Sequence, residues 1–112
     1  MNFKFRINDD EWEIIQVDKE LIRNRFNKDN EEDATYVFGL TIFSEHKIWI
    51  NKDMCDEQKI KTLKHELTHC YIWSFGLGSV PHYTEEMVCD IVSASNGFVN
   101  DTVEKYRNFS KI

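Results

Sequence analysis

The sequence predicts an α+β fold with strands first and helices after, and three observations carry that prediction. The first half holds short runs with period-two alternation or β-branched and aromatic content. From about residue 54 the apolar residues switch to helical spacing. With one Pro and four Gly in 112 residues there is no linker and no low-complexity tract, so residues 1–112 read as a single domain. The expected architecture is a small antiparallel sheet of three to four strands packed on a helix, followed by a second helix.

Phe3, Phe5 and Ile7 alternate with Asn2, Lys4 and Arg6, the pattern of a strand with one buried face. "NDDE" supplies turn chemistry, and Trp12, Ile14 and Val17 continue as a second strand that closes a hairpin. Residues 18–28, "DKELIRNRFNK", form a short helix, and "DNEEDA" after it is a solvated acidic turn. "TYVFGLTIF", residues 35–43, has strand composition, with Gly39 marking a bulge or a close approach of another backbone. Ile48 and Ile50 share one face of a last strand. Asp53 is the expected N-cap of the helix that follows, with Asp56 and Glu57 in its first turn.

Within residues 54–75, Ile60, Leu63, Leu67 and Cys70 fall at i, i+3, i+7 and i+10, a stripe that docks the helix on the sheet. "GLGSVP", residues 76–81, ends the helix. A second helix starts near Tyr83 and carries "EEMVCDIVSAS", and a third segment, "NDTVEKYRNF", finishes the chain.

Apolar residues at 41% and aromatics at 13% exclude a disordered chain. A net charge of −6 argues against nucleic acid or an anionic membrane as partner. No apolar run reaches the roughly 20 residues that cross a bilayer. The N-terminus shows no secretory h-region. Cys55, Cys70 and Cys89, odd in number and irregular in spacing, describe no disulfide framework and suit a reducing cytoplasm as small buried hydrophobes.

"TLKHELTHCYIWSFG", residues 62–76, carries the chemistry. Residues i and i+4 of a helix lie one above the other, so His65 and His69 can grip one cation. H-E-x-x-H on a helix is the zinc metallopeptidase signature. Neutral imidazoles ligate Zn²⁺, and a catalytic site adds a third protein ligand and a water whose pKa falls to about 7. Glu66 beside the metal would take the water's proton as general base. Shuffling this composition yields the motif in roughly one chain in a hundred, so the motif needs support from the rest of the chain. Downstream, Glu86 and Asp90 stand four apart in a helix that also carries Met87, Val88, Ile91 and Val92. Buried charge is costly, and Glu86 as third ligand with Asp90 accepting from a ligand histidine's N–H would explain the pair. An ordinary solvated face is the alternative.

"HELTH" followed after a short loop by "EEMVCD" resembles gluzincins, whose second helix offers E-x-x-x-D. More closely it is similar to the small ImmA/IrrE-type metallopeptidases of bacteria and their mobile elements, over roughly Thr35 to Ser95. Cys89 stands where that pattern more often has a small residue such as alanine. The resemblance implies a zincin-like fold with His65 and His69 as ligands, Glu66 as base and Glu86 as third ligand. It further implies a peptide substrate extended along the strand of residues 35–43, and, since several members cut helix-turn-helix repressors, a substrate of that kind from a phage or mobile element.

Other ligands compete. Glu85 lacks an acidic partner four residues on, because position 89 is Cys. His82 could supply a third histidine as in SprT-like proteins, or His82 or Tyr83 could hydrogen-bond the oxyanion. Ile72 and Phe75 occupy the positions of the glycine and third histidine of a metzincin. His46, in a turn between strands, reads as ordinary. The expectation is a cytoplasmic zinc-dependent endopeptidase acting on a protein or peptide. The alternative is a zinc-binding interaction protein that docks a partner without cutting it.

Overall fold

A computed structural model describes residues 2–30, 38–77 and 82–111, with the side chains of residues 29 and 30 excepted. Strands β1 (Phe3–Ile7) and β2 (Asp10–Val17) pair antiparallel, with Phe5 opposite Trp12 and Phe3 opposite Ile14. Asn8 and Asp9 turn the hairpin at φ 47° and 68°, a left-handed geometry that Asn and Asp tolerate and that matches strand twist. Helix α1 (Lys19–Asn30) follows, then β3 (Gly39–Ile42), a 3₁₀ turn (Phe43–Glu45) and β4 (Lys47–Asn51). Helices α2 (Asp56–Ser74) and α3 (Glu85–Ser110) complete the chain.

The α+β class is as expected, but the sheet is mixed rather than antiparallel. Its order is β1-β2-β4-β3, with β4 parallel to β2 and antiparallel to β3. The reason is the path between β2 and β4. Parallel neighbours need a long crossover, and α1 together with β3 supplies it. β3 is left at the sheet edge.

Trp12, Ile14, Ile48 and Ile50 from the sheet join Leu63, Leu67 and Cys70 from α2, and Val99, Val103 and Tyr106 from α3, in one buried cluster. The helical stripe of α2 is therefore the docking face that its spacing predicts. Ile22 of α1 is also fully buried but lies outside this cluster, where α1 packs on β3 and β4.

Several boundaries differ from expectation. Only Gly39–Ile42 of the predicted 35–43 strand is a strand: Phe43 opens the 3₁₀ turn, and residues 35–37 lie outside the described residues, as do 31–34 of the acidic turn and 78–81. Asp53 does not cap α2, because its N–H donates to Asn51 Oδ1 at 2.9 Å in an Asx-type turn, and Cys55 takes the N-cap position without a side-chain bond. Gly76, at φ 69°, ends α2 as predicted.

The third segment is not separate. α3 runs unbroken through Gly97, because burial of Ser95, Val99, Thr102, Val103 and Tyr106 outweighs the roughly 1 kcal/mol a helical glycine costs. Thr84 caps it, accepting from Met87 N–H at 3.1 Å. Of the cysteines only Cys70 is buried; Cys55 and Cys89 are exposed near the starts of α2 and α3, where little packs on them. No helix among the described residues is long and apolar enough to cross a membrane.

Candidate metal centre

α2 lies against β3 and β4 with Leu63, Leu67 and Cys70 turned into the core. That docking sets the direction of every other residue on the helix. His65 and His69 fall on its exposed side, and their Nε2 atoms converge to 3.2 Å with the rings nearly perpendicular at 77°. Glu66, next to His65, is buried at 7% exposure. One of its carboxylate oxygens, Oε1, accepts from the Thr41 hydroxyl of β3 at 2.8 Å.

Between the edge strand and the helix opens a cleft of ≈460 Å³. Phe38 and Gly39 line it from the strand side, and Gln58, Lys61, Thr62, His65 and Glu66 from α2. Lys61, one helical turn before His65, places a cation at its wall. The mouth is open and His69 lies one turn beyond it.

Of the two readings of Gly39, a bulge or a close approach, the structure has the close approach. The β3–β4 register is regular through Gly39 and Ile50, so there is no bulge. A Cβ at Gly39 would stand 2.7 Å from Thr62 Cγ2, 3.0 Å from the Trp49 carbonyl oxygen and 3.3 Å from Glu66 Cγ. The close approach is therefore between the edge strand and α2, and it brings Thr41 within hydrogen-bonding reach of Glu66.

The structure does not assemble the predicted third ligand. Glu86 lies in the first turn of α3 and Asp90 one turn on, and both are exposed, as is Glu85. Among the described residues no third His, Cys, Asp or Glu joins His65 and His69. Burial thus gives no reason for the Glu86–Asp90 pair, since both carboxylates are solvated. His82 is exposed, and Tyr83 donates its hydroxyl to the Leu77 carbonyl oxygen. His46 is structural: at φ 54° it closes the β3–β4 connection and stacks on Trp12, ring centres 4.8 Å apart.

Two site features escaped the sequence reading, Thr41 and Lys61. Lys61 was visible as the residue at i−4 from His65. Thr41 was visible only as the residue two beyond Gly39 on the same strand face, with nothing to say that Glu66 lies opposite.

The donor set can be tested against zinc by geometry. Two nitrogens on one tetrahedral zinc, at bonds of about 2.0 to 2.1 Å, stand about 3.3 Å apart. The 3.2 Å between the two Nε2 atoms fits that separation. It also suits an N–H···N hydrogen bond, but a bond between two exposed rings in water contributes little. The histidine pair fits the metal; among the described residues no third protein ligand joins it. Comparison with protein-family models, with characterised proteins and with solved structures finds no match to this chain.

Proposed function

We propose that the chain is a zinc-dependent endopeptidase whose centre is His65, Glu66 and His69. The observation that supports this best is the convergence of two imidazole nitrogens to 3.2 Å directly beside a buried carboxylate that lines a cleft. A structural glutamate with no task in a cleft would be expected to turn to solvent, because burying a carboxylate is costly. When bound, the metal would supply Lewis acidity toward a peptide carbonyl and lower the pKa of a water.

The chain's own residues do the rest. His65 and His69 would hold the ion through their ring nitrogens. Glu66, fixed by Thr41, takes a proton from the attacking water and returns it to the leaving amine. β3 is paired only on its β4 side among the described residues, so its other edge can take an extended peptide through backbone hydrogen bonds. Such a peptide would run along the cleft past Gly39 and His65. Pairing through the backbone gives affinity with little sequence demand, and the cleft wall with Phe38 and Lys61 gives preference.

Glu86 completes the ligand set in this reading. It does not reach the pair here, so the first turns of α3 must come toward α2 when metal binds.

The test is metal analysis with activity measured beside it. Purified protein is dialysed against zinc, its metal content determined, and cleavage of a fluorescence-quenched peptide library recorded for wild type and Glu66→Gln. One zinc per chain in both, with cleavage by wild type alone, is the expected result. Zinc in both and cleavage by neither favours the interaction-protein reading, and no zinc in either refutes the metal centre.

A further inference from the structure

Glu66 is a carboxylate held almost out of water, and Thr41 is the group among the described residues that hydrogen-bonds it. Thr41 is itself buried at 8% exposure, on the edge strand, with its side chain turned to α2. Its hydroxyl has one hydrogen, and Glu66 Oε1 at 2.8 Å is the nearer acceptor; the Glu66 carbonyl oxygen stands at 3.3 Å and is already placed in the helix. The other carboxylate oxygen, Oε2, has no hydrogen bond among the described residues. The two oxygens of Glu66 therefore stand in unlike settings, one tied to the strand and one uncommitted in a residue that lines the cleft.

A base needs more than a carboxylate near the water. It needs one lone pair aimed at the proton, and a misplacement of about 1 Å can cost on the order of 100-fold in rate. A glutamate has three rotatable bonds, and holding it in one rotamer costs entropy that some contact must offset. On one side Glu66 is confined by Gly39, whose missing side chain leaves room for Glu66 Cγ at 3.3 Å from the ideal Cβ position. At its tip it is confined by Thr41.

We propose that Thr41 is the positioning residue for Glu66: its hydroxyl holds Oε1 and thereby leaves Oε2 to accept the proton in the cleft. The inference rests on the peptidase reading for its catalytic part. The restraint on Glu66 is a property of the chain itself and can be measured without any cleavage.

The bland account of the same bond is a tether between β3 and α2, and the two accounts differ in what they do to turnover. The kinetic arm uses the full chain, zinc-loaded, with the quenched peptide that wild type cleaves best. Thr41→Val removes the hydroxyl at nearly the same volume, and Thr41→Ser keeps it. Positioning predicts that Thr41→Val lowers kcat roughly 10- to 100-fold. KM should stay within about twofold and zinc content should be unchanged, because uniform binding is untouched. Thr41→Ser should stay within about threefold of wild type, since the donor survives. In a Glu66→Gln background, Thr41→Val should cost nothing further, since residues that act through one group are not additive. A loss in kcat that is the same with and without Glu66, or no loss at all, overturns the proposal.

The second arm is independent of activity. In zinc-free protein, the Hα–Hβ and Hβ–Hγ couplings of Glu66 should report one rotamer in wild type and Thr41→Ser, and averaged rotamers in Thr41→Val. If Thr41→Val does not fold, Thr41→Ala serves as the second hydroxyl-free variant. Averaged couplings already in wild type overturn the proposal. A wild type that cleaves no peptide, yet shows a fixed Glu66 released by Thr41→Val, removes the peptidase reading and leaves the restraint standing.

Discussion

Replacing Gly39 with Ala probes the contact on which the whole site depends. The new Cβ would meet Thr62 Cγ2 at 2.7 Å and the Trp49 carbonyl oxygen at 3.0 Å, whereas carbon atoms rest about 3.5 to 4.0 Å apart. Neither neighbour yields easily. Thr62 is β-branched and 6% exposed on a helix, so its side chain is held at χ1, and the Trp49 oxygen belongs to the backbone of β4. β3 must move off α2 by most of an ångström. Overpacking of this kind costs about 1 to 3 kcal/mol. In a domain of this size that lowers Tm by about 4 to 12 °C. Thr62→Ser deletes the clashing methyl and keeps the oxygen to which Gln58 donates at 3.3 Å. Alone it should cost about 1 kcal/mol as a small cavity. Combined with Gly39→Ala it should recover part of the loss, leaving the contact with the Trp49 oxygen, so the two changes couple by about 1 kcal/mol. Thermal and urea unfolding of the four proteins measures this. A Gly39→Ala protein that melts with wild type, or a double variant whose losses simply add, would refute the proposed contact between strand and helix.

Four further outcomes follow from the same structure. His65→Ala and His69→Ala should each release zinc to a competing chelator, and wild-type Tm should rise with added zinc while the double variant's does not, because only the folded pair binds. Glu86→Gln should weaken zinc binding markedly if α3 supplies the third ligand; unchanged affinity by metal titration assigns that ligand elsewhere. Of the three thiols, Cys55 and Cys89 should react promptly with a maleimide at pH 8 and Cys70 only on unfolding, since burial pushes the Cys70 thiol from 9.0 up to about 12. Because the folded form keeps this proton longer than the unfolded one, the stability tied to it is complete below pH 9. It declines between pH 9 and 12 by at most about 1.4 kcal/mol per pH unit, read from urea midpoints of wild type against Cys70→Ala.

Local chemistry was legible in the order of residues. The Phe3–Phe5–Ile7 alternation specifies a strand because side chains alternate faces. The Leu63–Leu67–Cys70 stripe specifies the buried face of α2, and Gly76 its end, because a left-handed residue suits glycine. The i, i+4 placement of His65 and His69 puts them on one face of the helix, and their rings meet there.

What neighbours what across the chain was decided only by tertiary structure. The direction of β4 beside β2 depends on where α1 and β3 carry the chain, which no local pattern encodes. Residues 85–95 and 100–109 read as two separate segments, yet packing of Val99, Val103 and Tyr106 makes them one helix, α3. Gly39 marks either a bulge or a close approach in the sequence, and only the docking of α2 shows that the space beside it belongs to Thr62 and Glu66. Glu86 and Asp90 read as a carboxylate pair with a metal-site reason, and the fold leaves both in solvent because the first turns of α3 have little packed against them. Helix and strand periods constrain residues within a few positions of one another. The hydrogen-bond partner of Glu66, Thr41, lies 25 residues away along the chain, and only the packing of an edge strand on a helix brings the two together.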